Sequence, residues 1–169
     1  MMNIGNFDPI SLAVLLSALA LVPLLLMICT CFLKMVVVLQ LVRNALGVQQ
    51  VPPNMVLYGI AIALTIFVMA PVFNETQKVV VDMDTSTIDS QGIMHIVKEG
   101  SVPITKFMKE NTSAPVLALF QDSAKKMWDK NTAKELGENN LLVLIPSFVI
   151  SELQAGFEIG FLIYLPFVV

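Results

Sequence analysis

The sequence predicts an all-α membrane-assembly protein: kinked helical hairpins carrying a helical extra-cytoplasmic insertion. Three observations lead there. First, 56% of the 169 residues are hydrophobic and only 14% charged, with a mean hydropathy of +0.79, against about 45–50% and about 25% in ordinary globular domains. Second, the apolar residues are concentrated: Ile10–Leu33 and Met55–Phe73 contain no charged side chain, and about 20 such residues as a helix cross a bilayer core of roughly 30 Å. Third, Pro, Gly and Asn punctuate the chain where these runs end. They divide it into a hairpin over 1–73, a polar and mostly helical segment over 74–140, and the start of a second hairpin over 141–169.

A secretory signal peptide does not account for the first run. Residues 1–9 hold Asp8 and no Lys or Arg, whereas a signal needs a basic start, a shorter apolar stretch and a small-residue cleavage site. The run is read as a retained helix extending from about Ile10 to about Leu46. Pro23 lies inside it, where a missing backbone donor predicts a kink. Cys29 and Cys31, two positions apart, would point to opposite faces of that helix and are read as small apolar packing residues. Gly47 is the expected C′ residue, and Arg43 sits where a cation favours a helix C-terminus.

The segment Val48-Gln49-Gln50-Val51-Pro52-Pro53-Asn54 forms the elbow of the hairpin. Adjacent prolines exclude helix and favour an extended connection. Asn54 is the expected N-cap of a second helix ending near Pro71. Segment 74–140 has ten acidic and eight basic residues and is near-neutral. Within it, Ser101 with Pro103, and Ser113 with Pro115, mark two helix starts. Apolar positions at helical spacing follow each: Ile104, Phe107 and Met108 in one, Leu117, Phe120, Ala124, Met127 and Trp128 in the other. Residues 82–92 read as a loop. Leu141–Ile150 and Ile159–Val169 are each too short to span a membrane, and together make one helix with Glu152 and Glu158 near its middle. An apolar segment that stops at Val169 without a polar anchor predicts a polypeptide that continues further.

Lys34 and Arg43 are the only basic residues of the hairpin. By the positive-inside tendency they place the elbow in the cytoplasm and 74–140 on the periplasmic side. A net charge of −3 gives no reason to expect a nucleic-acid partner.

Charged groups among apolar helices belong against protein or water, because a lipid-facing carboxylate is costly. Glu152 and Glu158 are six positions apart, about 240° around a helix, and do not converge as an acid–base pair. One reading makes them a proton or cation relay in an ion or small-solute transporter subunit. The favoured one makes them structural carboxylates paired across helices, with Lys34 as the candidate partner. Lys34 could instead extend its ammonium to the membrane interface without any function. His95, the sole histidine, has no companion at metal-ligand spacing. No nucleophile constellation or phosphate loop is present, so no catalysis and no cofactor is expected.

The elbow Val42-Arg43-Asn44-Ala45-Leu46-Gly47-Val48-Gln49-Gln50-Val51-Pro52-Pro53-Asn54 resembles a known family. So do Phe67-Val68-Met69-Ala70-Pro71-Val72, Leu144-Ile145-Pro146-Ser147-Phe148 and Phe157-Glu158-Ile159-Gly160-Phe161-Leu162-Ile163-Tyr164-Leu165-Pro166-Phe167. These stretches are similar to the SctR/FliP proteins, multi-pass inner-membrane subunits of the bacterial type III export apparatus, and nearer the virulence branch than the flagellar one. The resemblance implies a non-enzymatic subunit that associates, pentamer-like, with other copies of itself. It also implies contact with S- and T-type companion membrane proteins, with membrane lipids and with unfolded proteins passing through. Family members continue past the Leu-Pro-Phe motif into a methionine-rich constriction. Lys34, Arg43, Asn44, Gly47, Gln49, Gln50, Pro52, Pro53, Asn54, Glu152 and Glu158 are the candidate assembly residues, the elbow polar groups serving lateral contacts or capping within the chain.

Overall fold

A computed structural model describes residues 9–48, 51–81, 98–129 and 140–168. Six helices are present among them: α1 (Pro9–Ile28), α2 (Phe32–Ala45), α3 (Asn54–Val81), α4 (Val102–Glu110), α5 (Ala114–Met127) and α6 (Leu141–Val168), with no strand. The all-α expectation holds. Two helices, Asn54–Val81 and Leu141–Phe167, are long and apolar enough to cross a membrane, and the bent pair Leu19–Ile28 with Phe32–Ala45 would make a third.

The first apolar helix departs from its expected form. It is not one helix kinked at Pro23 but two, bent by 61° at a break over residues 29–31. Pro23 lies within α1 on an exposed face, and the helix carries past it: the Cys29 N–H still reaches the Leu25 carbonyl at 2.9 Å. The break falls on Cys-Thr-Cys, three weak helix formers. There the Thr30 hydroxyl accepts the Phe32 N–H at 3.4 Å, offering the backbone an alternative to the helical ladder. Cys29 and Cys31 are therefore in the break rather than on a helix. Both are free thiols, Cys31 buried and Cys29 half-buried.

At the elbow, α2 ends as expected. Gly47 adopts φ +70° and its N–H donates to the Asn44 carbonyl at 3.1 Å, half of the bond pattern that a left-handed C′ residue closes. The N-cap of α3, however, is Pro53 rather than Asn54: the Pro53 carbonyl accepts the N–H groups of Val56 and Leu57. The Asn54 side chain is taken by Arg43 instead.

Helix α3 also runs through Pro71 to Val81, ten residues beyond the expected end. Contacts farther along the helix outweigh the local proline. α3 packs against α4, and the Val80 side chain closes on Gly100, where an added Cβ would stand 3.3 Å from it.

The two serine–proline starts are found where the sequence places them, with proline in the first turn of α4 and of α5. Neither serine side chain caps its helix. Ser101 Oγ donates back to the Lys98 carbonyl at 2.8 Å. The expected single C-terminal helix is α6. Its cap is Asn140, whose Oδ1 accepts the Leu142 N–H at 3.0 Å.

α6 is the centre of the bundle. It packs on α2, α5 and α4, while α2 also packs on α3 and α1. Met108 from α4 with Leu144 and Phe148 from α6 form the buried cluster, and Cys29, Ile104, Phe107, Leu117 and Ile145 close around it. Phe107 meets Phe148 edge to face, with ring centroids 5.9 Å apart.

Candidate functional site

The seam between α2 and α6 carries Lys34 and Glu152. Phe148, Glu152, Gly156 and Gly160 recur every four positions and so lie along one stripe of α6. Positions 34, 37 and 41 of α2 face them. A Cβ added at Gly156 would stand 3.2 Å from Val37 Cβ and 3.5 Å from the Lys34 Cα, and one added at Gly160 would stand 3.0 Å from Leu41 Cβ. Residue numbers rise together along both helices, so α2 and α6 run parallel, backbone close to backbone. Gly156 and Gly160 are absent from the candidate residues above, although four-residue spacing of small residues is the known signal of close helix packing in membranes.

At the start of this seam Lys34 Nζ lies 2.7 Å from Glu152 Oε1. The Glu152 side chain is 1% exposed and that of Lys34 22%. The sequence-level pairing is thus present. The Lys34 ammonium points at a carboxylate rather than at the membrane interface. Glu152 Oε2 is buried with no hydrogen-bond donor among the described residues, so the pair is only partly satisfied there. Removing Lys34 leaves an uncompensated buried carboxylate, a loss of about 3–5 kcal/mol, whereas removing Glu152 leaves an ammonium that is only half-buried. Cys31, with the Thr65 hydroxyl beside it, lies within electrostatic reach of both charges.

Around this pair the polar groups of α6 are consumed locally. Ser147 Oγ donates to the Val143 carbonyl at 2.6 Å, and Ser151 Oγ to the Ser147 carbonyl at 2.8 Å. Ser151 Oγ also accepts the Ser113 N–H at 3.0 Å, tying the start of α5 to α6. Sequence reasoning missed this link, because it joins residues 38 positions apart.

Glu158 stands apart from Glu152, exposed on another face. It borders an open groove of about 330 Å³ with Glu110, Asn111, Ser113 and Gln154. At the elbow, Arg43 Nη1 donates to Asn54 Oδ1 at 2.5 Å and to the Pro52 carbonyl at 3.4 Å. Arg43 therefore binds the two arms of its own hairpin together. Asn44, Gly47 and Pro53 are exposed, Pro52 is half-buried, and Gln49 and Gln50 lie outside the described residues, as do His95 and the expected 82–92 loop.

Much of the apolar surface has no cover among the described residues. α3 buries only Leu57, Ala61, Thr65 and Met69, one residue per turn, while Met55 is 86% and Phe67 79% exposed. An apolar groove of about 320 Å³ opens between α1 and α3, bordered by Pro23, Leu26 and Met27 on one side and Ile62, Thr65, Ile66 and Phe73 on the other.

Comparison with known proteins accords with these features. The FliP family matches residues 15–169. The chain is 52% identical over 170 residues to the harpin secretion protein HrcR of Erwinia amylovora, covering 99% of this chain and 77% of that protein. It is 45% identical over 162 residues to the Yop proteins translocation protein R of Yersinia pestis, covering 96% and 75%. With the virulence protein YscR of Salmonella typhimurium it shares 35% identity over 167 residues, covering 95% and 74%. The chain belongs to the FliP family, the export-apparatus family that its Pro-Pro elbow and Leu-Pro-Phe end resemble.

Proposed function

We propose that this chain is a non-enzymatic subunit of a bacterial type III protein-export gate. It assembles with other copies of itself and with S- and T-type membrane subunits to form the entrance through which unfolded proteins leave the cytoplasm. The observation that carries this reading is the likeness, over nearly all of this chain and about three quarters of theirs, to proteins named for secretion and translocation. The exposed helix faces support it: α3 presents one narrow buried stripe and leaves the rest of an apolar helix uncovered. An isolated soluble subunit does not carry such a surface, whereas membrane helices tile against neighbours or lipid.

In this reading the Lys34–Glu152 pair and the glycine seam make the subunit's rigid spine, and Arg43 fixes the hairpin angle from which copies are tiled. Asn44, exposed at the end of α2, is the elbow polar group offered to lateral contacts. The elbow faces the cytoplasm and segment 74–140 the periplasm. The test is deletion of the gene in its own host, followed by complementation and assay of secreted proteins in the medium. Loss of all type III secretion, with the cytoplasmic ATPase still present and active, is the expected result. Undiminished secretion would overturn the proposal.

A further inference from the structure

The elbow brings a cation and an open helix start together. Arg43 makes its two hydrogen bonds through Nη1, to Asn54 Oδ1 and to the Pro52 carbonyl. Both acceptors are neutral, and no carboxylate stands within ion-pair distance of the guanidinium among the described residues. Nε is buried with no acceptor there, and neither bond uses Nη2. The brace of the hairpin thus occupies one corner of the guanidinium and leaves its charge unmatched. Helix α3 begins beside it. The Pro53 carbonyl accepts the Val56 and Leu57 N–H groups, the Asn54 side chain is held by Arg43, and the first turn contains no acidic residue. The N–H groups of Asn54 and Met55 have no acceptor among the described residues. They lie at the positive end of a 28-residue helix.

An uncompensated guanidinium next to unpaired helix N–H groups calls for an anion, and for phosphate oxygens in particular. The surroundings select what carries that phosphate. Leu46, Val51 and Met55 are exposed around the elbow, a rim that a free anion cannot use and an amphiphile can. α3 is long and apolar enough to cross a membrane, so its first turn falls at the depth of the lipid headgroups. Tyr58, exposed one turn along, has the amphipathic ring that favours the same depth. We propose that the elbow is a binding site for an anionic phospholipid. Its phosphate is held between the Arg43 guanidinium and the first N–H groups of α3, and its acyl chains run along Val51 and Met55. Arg43 then has two tasks on different atoms: Nη1 braces the hairpin, and the rest of the guanidinium meets the lipid.

The inference uses the membrane placement of α3 and none of the export reading, and its test measures no secretion. The full-length protein in its assembly is purified in mild detergent and offered equal amounts of phosphatidylglycerol and phosphatidylcholine. Native mass spectrometry then counts the lipids retained per copy. Phosphatidylglycerol is expected to exceed phosphatidylcholine about fivefold, the effect of one basic residue at an anionic surface. Arg43→Ala brings the two lipids to parity. Asn54→Ala, which breaks the brace and keeps the charge, retains the preference. Where Arg43→Ala does not assemble, Met55→Glu is read instead: it sets a like charge beside the phosphate, leaves Arg43 in place, and is expected to abolish the preference. No preference in the wild type would overturn the proposal, as would a preference that survives Arg43→Ala or Met55→Glu. Loss of the preference in Asn54→Ala would overturn it too, since the hairpin angle and not the free charge would then select the lipid. Displacement of the lipid by inorganic phosphate would replace it with a site for a free anion.

Discussion

Gly160 and Leu41 meet so closely that Gly160 has no room for a side chain: a Cβ there would stand 3.0 Å from Leu41 Cβ and closer still to the end of the same side chain. Leu41 can turn its terminal methyl aside, but its Cβ cannot move without the α2 backbone. Gly160→Ala is expected to destabilise the α2–α6 seam by about 1–3 kcal/mol, the range for overpacking, and Gly160→Leu to abolish it. Gly156→Ala meets Val37 Cβ at 3.2 Å, a looser contact than that at Gly160, and belongs in the lower part of that range. Thermal unfolding midpoints of the purified assembly will rank the three variants. Wild-type stability in Gly160→Leu would refute the close seam.

Lys34→Ala leaves the buried Glu152 carboxylate without its partner and is expected to cost about 3–5 kcal/mol, lowering the amount of protein in membranes; Glu152→Ala leaves the half-buried Lys34 ammonium and is expected to cost less. The exchange Lys34→Glu with Glu152→Lys recovers most of the membrane-inserted amount. The reading on immunoblots of membrane fractions is direct. No recovery in the exchange variant would mean that each residue acts through other partners.

Arg43→Ala removes the donor to Asn54 Oδ1 and to the Pro52 carbonyl. These bonds lie partly in solvent, so the expected loss is about 1 kcal/mol. Both bonds come from Nη1 alone, so Arg43→Lys is expected to restore part of the loss as far as the ammonium reaches Asn54. Native-gel analysis separates two roles here. An intact complex of lowered thermal midpoint indicates bracing within the hairpin, and dissociation into free subunits indicates a lateral contact.

Ser151→Ala deprives the Ser113 N–H of its acceptor. The Ser113 N–H is half-buried, so the expected loss is about 1 kcal/mol, at the first turn of α5. Hydrogen exchange of the 111–117 amides should rise while that of 141–148 stays slow. Unchanged exchange at 111–117 would show that another group supplies the acceptor.

Glu158→Gln leaves the Lys34–Glu152 pair untouched and alters only an exposed carboxylate. Secretion is expected to remain at the wild-type level. Loss of function specific to the missing charge would favour the transporter reading, in which Glu152 and Glu158 act together.

The extent to which the sequence disclosed these features follows from the range of the interactions involved. The elbow was legible because Pro52, Pro53 and Gly47 act on their own backbone. Likewise, the continuity of α6 across Glu152 and Glu158 is legible from two apolar stretches each too short to span a membrane, and the partnership of Lys34 with Glu152 from the cost of a charge among apolar residues. The break at Cys29–Cys31 was not legible. Pro23 is the stronger local signal, yet burial of Thr30 and Cys31 against the bundle decided where the helix parts. The length of α3 was hidden for the same reason, since contact with Gly100 and α4 extends it beyond Pro71. The Ser113–Ser151 link depends on two helices meeting and has no local trace.

The central claim is export, and recovery of the whole assembly tests it most directly. The full-length protein, tagged and extracted from its host's membranes in mild detergent, should bring down several copies of itself with S- and T-type membrane subunits at fixed ratio. Recovery instead of a self-contained oligomer that performs proton-coupled solute uptake in liposomes would contradict the account.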